Sequence, residues 1–133
     1  METHLKIIGA ILVALAAIHV IFPRYFNWEK EARSLSLINR QMLYVHTFFI
    51  ALTVGLMGLL CLTSSNDLVT TGLGKNICLG LGAFWTIRLG IQFFVYSPKL
   101  WRGKTFETAV HIMFSLLWAY FSGVFWWVYW SGT

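Results

Sequence analysis

Three histidines, His19, His46 and His111, lie inside apolar stretches of the chain. A titratable ring in hydrocarbon is costly, so each needs a physical reason to be there. Neutral imidazole is the commonest metal ligand, and imidazoles on separate helices can converge in a bundle core. A pair facing each other across a bundle also suits the axial positions of a haem b. Arg88 and Arg40 are then the groups expected beside its propionates, because guanidinium grips a carboxylate through two parallel hydrogen bonds. Glu107, one turn before His111, completes a zinc, iron or copper set of His19, His46, His111 and Glu107, or else orients His111 from behind. No residue stands out as catalytic.

Four apolar runs, about 5–22, 42–62, 76–96 and 106–130, must position these side chains. Each is long enough for a transmembrane helix, so the expected fold is all-α, a single domain forming an antiparallel four-helix transmembrane bundle. Pro23 is expected to end the first run, since proline cannot continue the helical ladder. Ala14-Leu15-Ala16 looks like a signal-peptidase site, but the apolar run continues past it and more basic residues follow than precede, so the run is read as a mature helix. Residues 24–41 form an amphipathic, aromatic and partly helical connection at the interface, with Ser34 or Ser36 as cap of the second span. Residues 63–67 form a turn, Ser97-Pro98 stops the third span, and Thr105 caps the fourth. Small residues mark expected close contacts: Ala10 and Ala14 in the first run, Gly55 and Gly58 in the second, and Gly80, Gly82 and Gly90 in the third.

In that arrangement His19 comes one turn before the end of its span, and His46 and His111 about one turn after the starts of theirs. Arg88 sits about two turns inside the third. At 1.5 Å per residue all four fall in a layer roughly 6–12 Å below one interface. Helical spacing gathers further polar residues around them: Glu107, His111, Ser115, Trp118 and Ser122 on the fourth span, Met42, His46, Thr53 and Met57 on the second, and Arg88 with Gln92 on the third. Such stripes belong on surfaces turned to a bundle interior rather than to lipid. The bland alternatives are histidines that only bond their own helices, and an Arg88–Glu107 ion pair with no ligand.

Charge sets the orientation. Arg24, Lys30, Arg33, Arg40, Lys99, Arg102 and Lys104 lie on the side of the first and third loops, against Lys6 and Lys75 on the other. This bias predicts cytoplasmic first and third loops and periplasmic termini in a bacterial inner membrane. Trp126, Trp127, Tyr129 and Trp130 are expected as an aromatic girdle at the end of the last helix. With 58% hydrophobic and only 11% charged residues, the net charge of +5 reads as topology, not nucleic-acid binding. Gly72-Leu73-Gly74-Lys75 lacks the spacing of a phosphate loop, no nucleophile elbow occurs, and five acids are few for carboxylate-pair hydrolysis. Cys61 and Cys78 flank one loop on the outer side, where a disulfide can form in an oxidising compartment; otherwise they are small apolar span-end residues.

The stretch Ile18-His19-Val20-Ile21-Phe22-Pro23-Arg24-Tyr25-Phe26 resembles the HemJ-type protoporphyrinogen oxidases, small four-span haem-binding membrane proteins with a first-span histidine followed by Pro-Arg. The resemblance covers under a tenth of the chain, with the histidine nearer the Pro-Arg here. It carries no family assignment and adds weight only to haem. The sequence therefore points to an integral membrane protein with a His/Arg/Glu cluster binding haem or a transition metal, and redox-active through it. The alternative is a non-catalytic module that binds lipid or an apolar small molecule, or serves as an assembly subunit. Expected partners are the lipid bilayer and a membrane-protein partner or second copy, with no nucleic acid. A proton-linked transporter using the histidines is a third possibility.

Overall fold

The computed structural model describes residues 2–25, 27–94 and 103–131. In chain order they form α1 (Glu2–Tyr25), the short α2 (Trp28–Glu31), a 3-10 turn (Ala32–Ser34), α3 (Leu37–Thr63), the short α4 (Ser65–Thr70), α5 (Gly72–Phe94) and α6 (Thr105–Ser131). Four of these, α1, α3, α5 and α6, are apolar and long enough to cross a membrane. No strand occurs among the described residues. The protein is an all-α integral membrane protein, as its apolar runs require: in hydrocarbon a helix satisfies every backbone donor within itself. Contacts group the helices into two hairpins, residues 3–65 and residues from Asn66 onward.

In the first hairpin α1 buries Leu5, Ile8, Leu12 and Leu15, an i, i+3, i+7 stripe on one face. Its partner α3 buries Val54, Gly58 and Cys61. The helices run antiparallel and meet backbone to backbone at two glycines. A Cβ on Gly9 would lie 2.8 Å from the Gly58 carbonyl oxygen, and one on Gly58 would lie 2.8 Å from that of Gly9. Gly58 thus matches expectation, whereas Ala10 and Ala14 are exposed and the small residues of α1 at the contact are Gly9 and Ala16. Pro23 lies inside α1, two residues before its end. A proline forfeits its own bond to the carbonyl four residues back, but the following residues still have acceptors. Ser36 caps α3, its Oγ accepting from the Asn39 backbone N–H at 3.4 Å. The helix therefore starts before the apolar run and takes in Arg40. Asn27 adopts a left-handed φ of 54° at the reversal, a conformation asparagine tolerates. Beyond it Trp28 sets its ring edge-on to Tyr44 of α3 at 5.7 Å.

Of the residues expected as a plain turn, Thr63 ends α3, Ser64 makes the break, and Ser65 to Asp67 start α4, which folds back on α5. Thr71 joins the two helices. Its hydroxyl donates to the Asp67 carbonyl at 2.7 Å and accepts from the Gly74 N–H at 2.9 Å. A Cβ on Gly74 would run into the Asp67 carbonyl and the Leu68 Cα, so the approach requires glycine. Helix α5 packs antiparallel on α6, burying Cys78, Leu81, Trp85 and Gln92 against Trp118, Phe121, Phe125 and Val128. Gly82 makes room for the Trp126 ring, whose Nε1 donates to Thr86 Oγ1 at 2.9 Å. Trp126 is thus an interhelical contact, while Trp127 and Trp130 are exposed as a girdle requires. Added Cβ atoms at Gly80 and Gly90 would meet nothing within 4 Å, so these two glycines mark no close approach. Thr105 is the first helical residue of α6 rather than its cap. Ser97-Pro98, Lys99 and Arg102 lie outside the described residues.

Candidate functional site

The polar centre of the second hairpin is a chain of three side chains across α5 and α6. Arg88 Nη1 donates to Gln92 Oε1 at 3.4 Å, and Gln92 Nε2 lies 2.8 Å from His111 Nδ1. Gln92 is only 7% exposed; Arg88 and His111 are half-buried. Positions 88 and 92 are one turn apart on α5, so both point toward the same stretch of α6. A guanidinium can only donate, which places the carbonyl oxygen of Gln92 toward Arg88 and its NH2 toward the imidazole. His111 Nδ1 therefore accepts, and the ring hydrogen sits on Nε2. A metal-bound histidine normally has the reverse polarity, its non-ligating nitrogen donating to an acceptor. His111 in this arrangement accepts from Gln92 through Nδ1 and keeps Nε2–H as its one ring donor. Phe93 packs edge-on to the ring at 5.9 Å.

Below this chain lies an aromatic stack. The Arg88 guanidinium sits 5.3 Å from the Trp118 ring centroid, a cation–π distance. Trp118 stacks on Trp85 at 4.9 Å with 16° between planes, and on Phe114 at 5.4 Å and 21°. Phe121 closes the stack edge-on to Trp85 at 5.1 Å. Trp85 and Trp118 are 3% and 6% exposed, and the indole Nε1 of each is enclosed without a hydrogen-bond partner. Two such donors in one stack are unusual, since most buried polar groups find an acceptor and an orphan costs about 1–3 kcal/mol.

Glu107 is exposed in the first turn of α6, and Arg88 reaches Gln92 and Trp118. The stripe of α6 turns inward along its length, with Glu107 exposed, His111 and Ser115 half-buried, and Trp118 and Ser122 buried. In the first hairpin, His19 Nδ1 lies 2.7 Å from the carbonyl oxygen of Leu15 in its own helix. A carbonyl only accepts, so Nδ1 carries the hydrogen and Nε2 the lone pair, the polarity of a metal ligand. His46 is exposed, as are Met42 and Thr53, while Met57 is half-buried; the buried positions of α3 are instead Val54, Gly58 and Cys61. Arg40 is half-buried near the start of α3. Among the described residues no group of three or more His, Cys, Asp or Glu side chains is arranged to hold a metal ion. Cys61 and Cys78 are both buried thiols.

Trp85 is the site residue that sequence reasoning missed. Its signal is the spacing 85, 88, 92 on α5, which puts an aromatic, a cation and an amide on one face. No known protein family, curated protein or solved structure matches this chain.

Proposed function

We propose that this membrane protein is a binding module whose α5/α6 hairpin receives an apolar, membrane-dissolved ligand by a hydrogen-bond-accepting group. The observation that carries the reading is the pair of enclosed indole N–H groups of Trp85 and Trp118 beneath the Arg88 guanidinium. Every one of these groups donates and none accepts. Such a set is complementary to an acceptor, and hydrocarbon offers no water to supply one. The walls are aromatic, which suits a flat or apolar body. The test is to purify the protein gently in nanodiscs and analyse its organic extract by mass spectrometry beside a Trp85→Phe/Trp118→Phe variant. The reading expects a compound held near one per chain in the wild type and depleted in the variant. Extracts that hold only bulk lipid, unchanged by the substitutions, would overturn it.

The polarity at His19 favours a second reading: haem or a transition metal ligated through His19 Nε2, with His46 of the same hairpin as the further candidate. A Soret band or stoichiometric metal in the same preparation, lost in His19→Ala, supports it. A colourless, metal-free protein that neither haem nor metal reconstitutes refutes it.

A further inference from the structure

We infer that the ligand received by the α5/α6 hairpin is a flat, neutral carbonyl compound of the quinone type, its oxygen accepting from the indole N–H groups of Trp85 and Trp118. This rests on the binding-module reading and narrows its chemistry. Trp85, Trp118 and Arg88 have no acceptor to offer, and the Gln92 amide turns His111 so that its hydrogen lies on Nε2. A hydroxyl-bearing ligand would leave its own donor without a partner among them, whereas a carbonyl would not.

Trp118 is the midpoint of α6 (Thr105–Ser131), roughly 20 Å from either end at 1.5 Å per residue. A carboxylate or phosphate carried that far into hydrocarbon meets a large desolvation cost, while a neutral carbonyl needs only its hydrogen bonds. The Arg88 guanidinium, 5.3 Å from the Trp118 ring centroid, already donates to Gln92 Oε1 and faces the ring, so its charge is engaged without an anionic ligand. Phe114, Trp118 and Trp85 form a near-parallel stack, and a planar conjugated ring extends such a stack face to face. Both N–H groups are enclosed, so entry parts the rings, and ligand stacking competes with their own.

The experiment measures saturable binding of a decyl-tailed benzoquinone to the full chain in nanodiscs, with partition into empty nanodiscs subtracted. Hexadecanoate is the carboxylate competitor. Trp85→Phe and Trp118→Phe remove the N–H and keep a smaller stacking ring, and far-ultraviolet circular dichroism with an SDS titration midpoint confirms that each variant stays folded. One quinone per chain is expected, with each variant weakening it about two- to tenfold, the worth of one neutral hydrogen bond, and no displacement by hexadecanoate. Quinone affinity equal in the wild type and both folded variants overturns the inference. Hexadecanoate binding that needs the two N–H groups, with no quinone binding, overturns the carbonyl assignment and leaves the module reading standing. An empty organic extract together with no binding of either probe removes both.

Discussion

Replacing Gly58 by alanine adds a single methyl where α1 and α3 touch. That methyl would sit 2.8 Å from the Gly9 carbonyl oxygen, 2.8 Å from Val13 Cγ2 and 3.0 Å from the Val13 backbone N. A comfortable carbon–oxygen contact is about 3.3–3.6 Å, so the helices must part by about 0.5–0.8 Å at the crossing. Two of the three obstacles are backbone atoms, which cannot swing aside. Overpacking of this kind costs about 1–3 kcal/mol, and a gap of that size also forfeits about a quarter to a half of the dispersion energy of neighbouring contacts. Alanine returns about 1 kcal/mol through its higher helix propensity. The net expectation is a loss of up to about 2 kcal/mol. Gly55→Ala, on the same helix, is the control. Its methyl would meet only Ala16 Cβ at 3.4 Å, an ordinary contact, so it should be neutral or stabilising by up to about 1 kcal/mol. Titration with SDS from mixed micelles, followed by near-ultraviolet circular dichroism, gives both values. Equal midpoints for the two variants would refute the close crossing, and with it the antiparallel packing of the first hairpin.

Other expectations follow from the second hairpin and from charge. Gln92→Leu keeps the volume but removes one partner each from Arg88 and His111; the same titration should show a loss of about 1–3 kcal/mol, and no loss would mean the chain of three is not formed. In a background lacking the native cysteines, Lys104→Cys should react with impermeant maleimide only from the cytoplasmic side and Asn66→Cys only from the other, both positions being exposed; the opposite pattern would reverse the orientation inferred from the positive charges. Gly74→Ala should destabilise the α4/α5 corner more than Gly80→Ala does, because only the former brings a methyl onto backbone; similar thermal stabilities in detergent would count against the corner.

The four membrane helices were legible because hydrocarbon imposes a long apolar run on any spanning helix. Their ends were less so. The apolar run marks where the lipid begins, while the hydrogen-bond ladder continues until a cap such as Ser36 stops it, which is why Arg40 proved helical. The turn read into residues 63–67 shrinks to Ser64 for a related reason. Serine and asparagine favour helix starts as much as loops, and here they open α4. The polar stripe of α6 and the Arg88–Gln92 spacing pointed to the site, because one-turn offsets share a face. Titratable groups drew attention away from Trp85, whose indole donor is as expensive to bury as an imidazole yet counts as apolar in any hydropathy reading. Hydrogen-bond polarity at His19 and His111 depends on which atom of a neighbour faces the ring, and no sequence pattern encodes that.

The most direct measurement is the proton–nitrogen spectrum of the indole side chains in deuterated nanodiscs, with signals assigned through Trp85→Phe and Trp118→Phe. Seven tryptophans make the spectrum sparse enough to read. On adding the decyl-tailed benzoquinone, the Trp85 and Trp118 N–H signals should move downfield as they gain an acceptor, with the other five unmoved or shifted slightly. If those two stay in place at a quinone concentration that saturates the protein, the enclosed donors of the α5/α6 hairpin are not where a ligand is held.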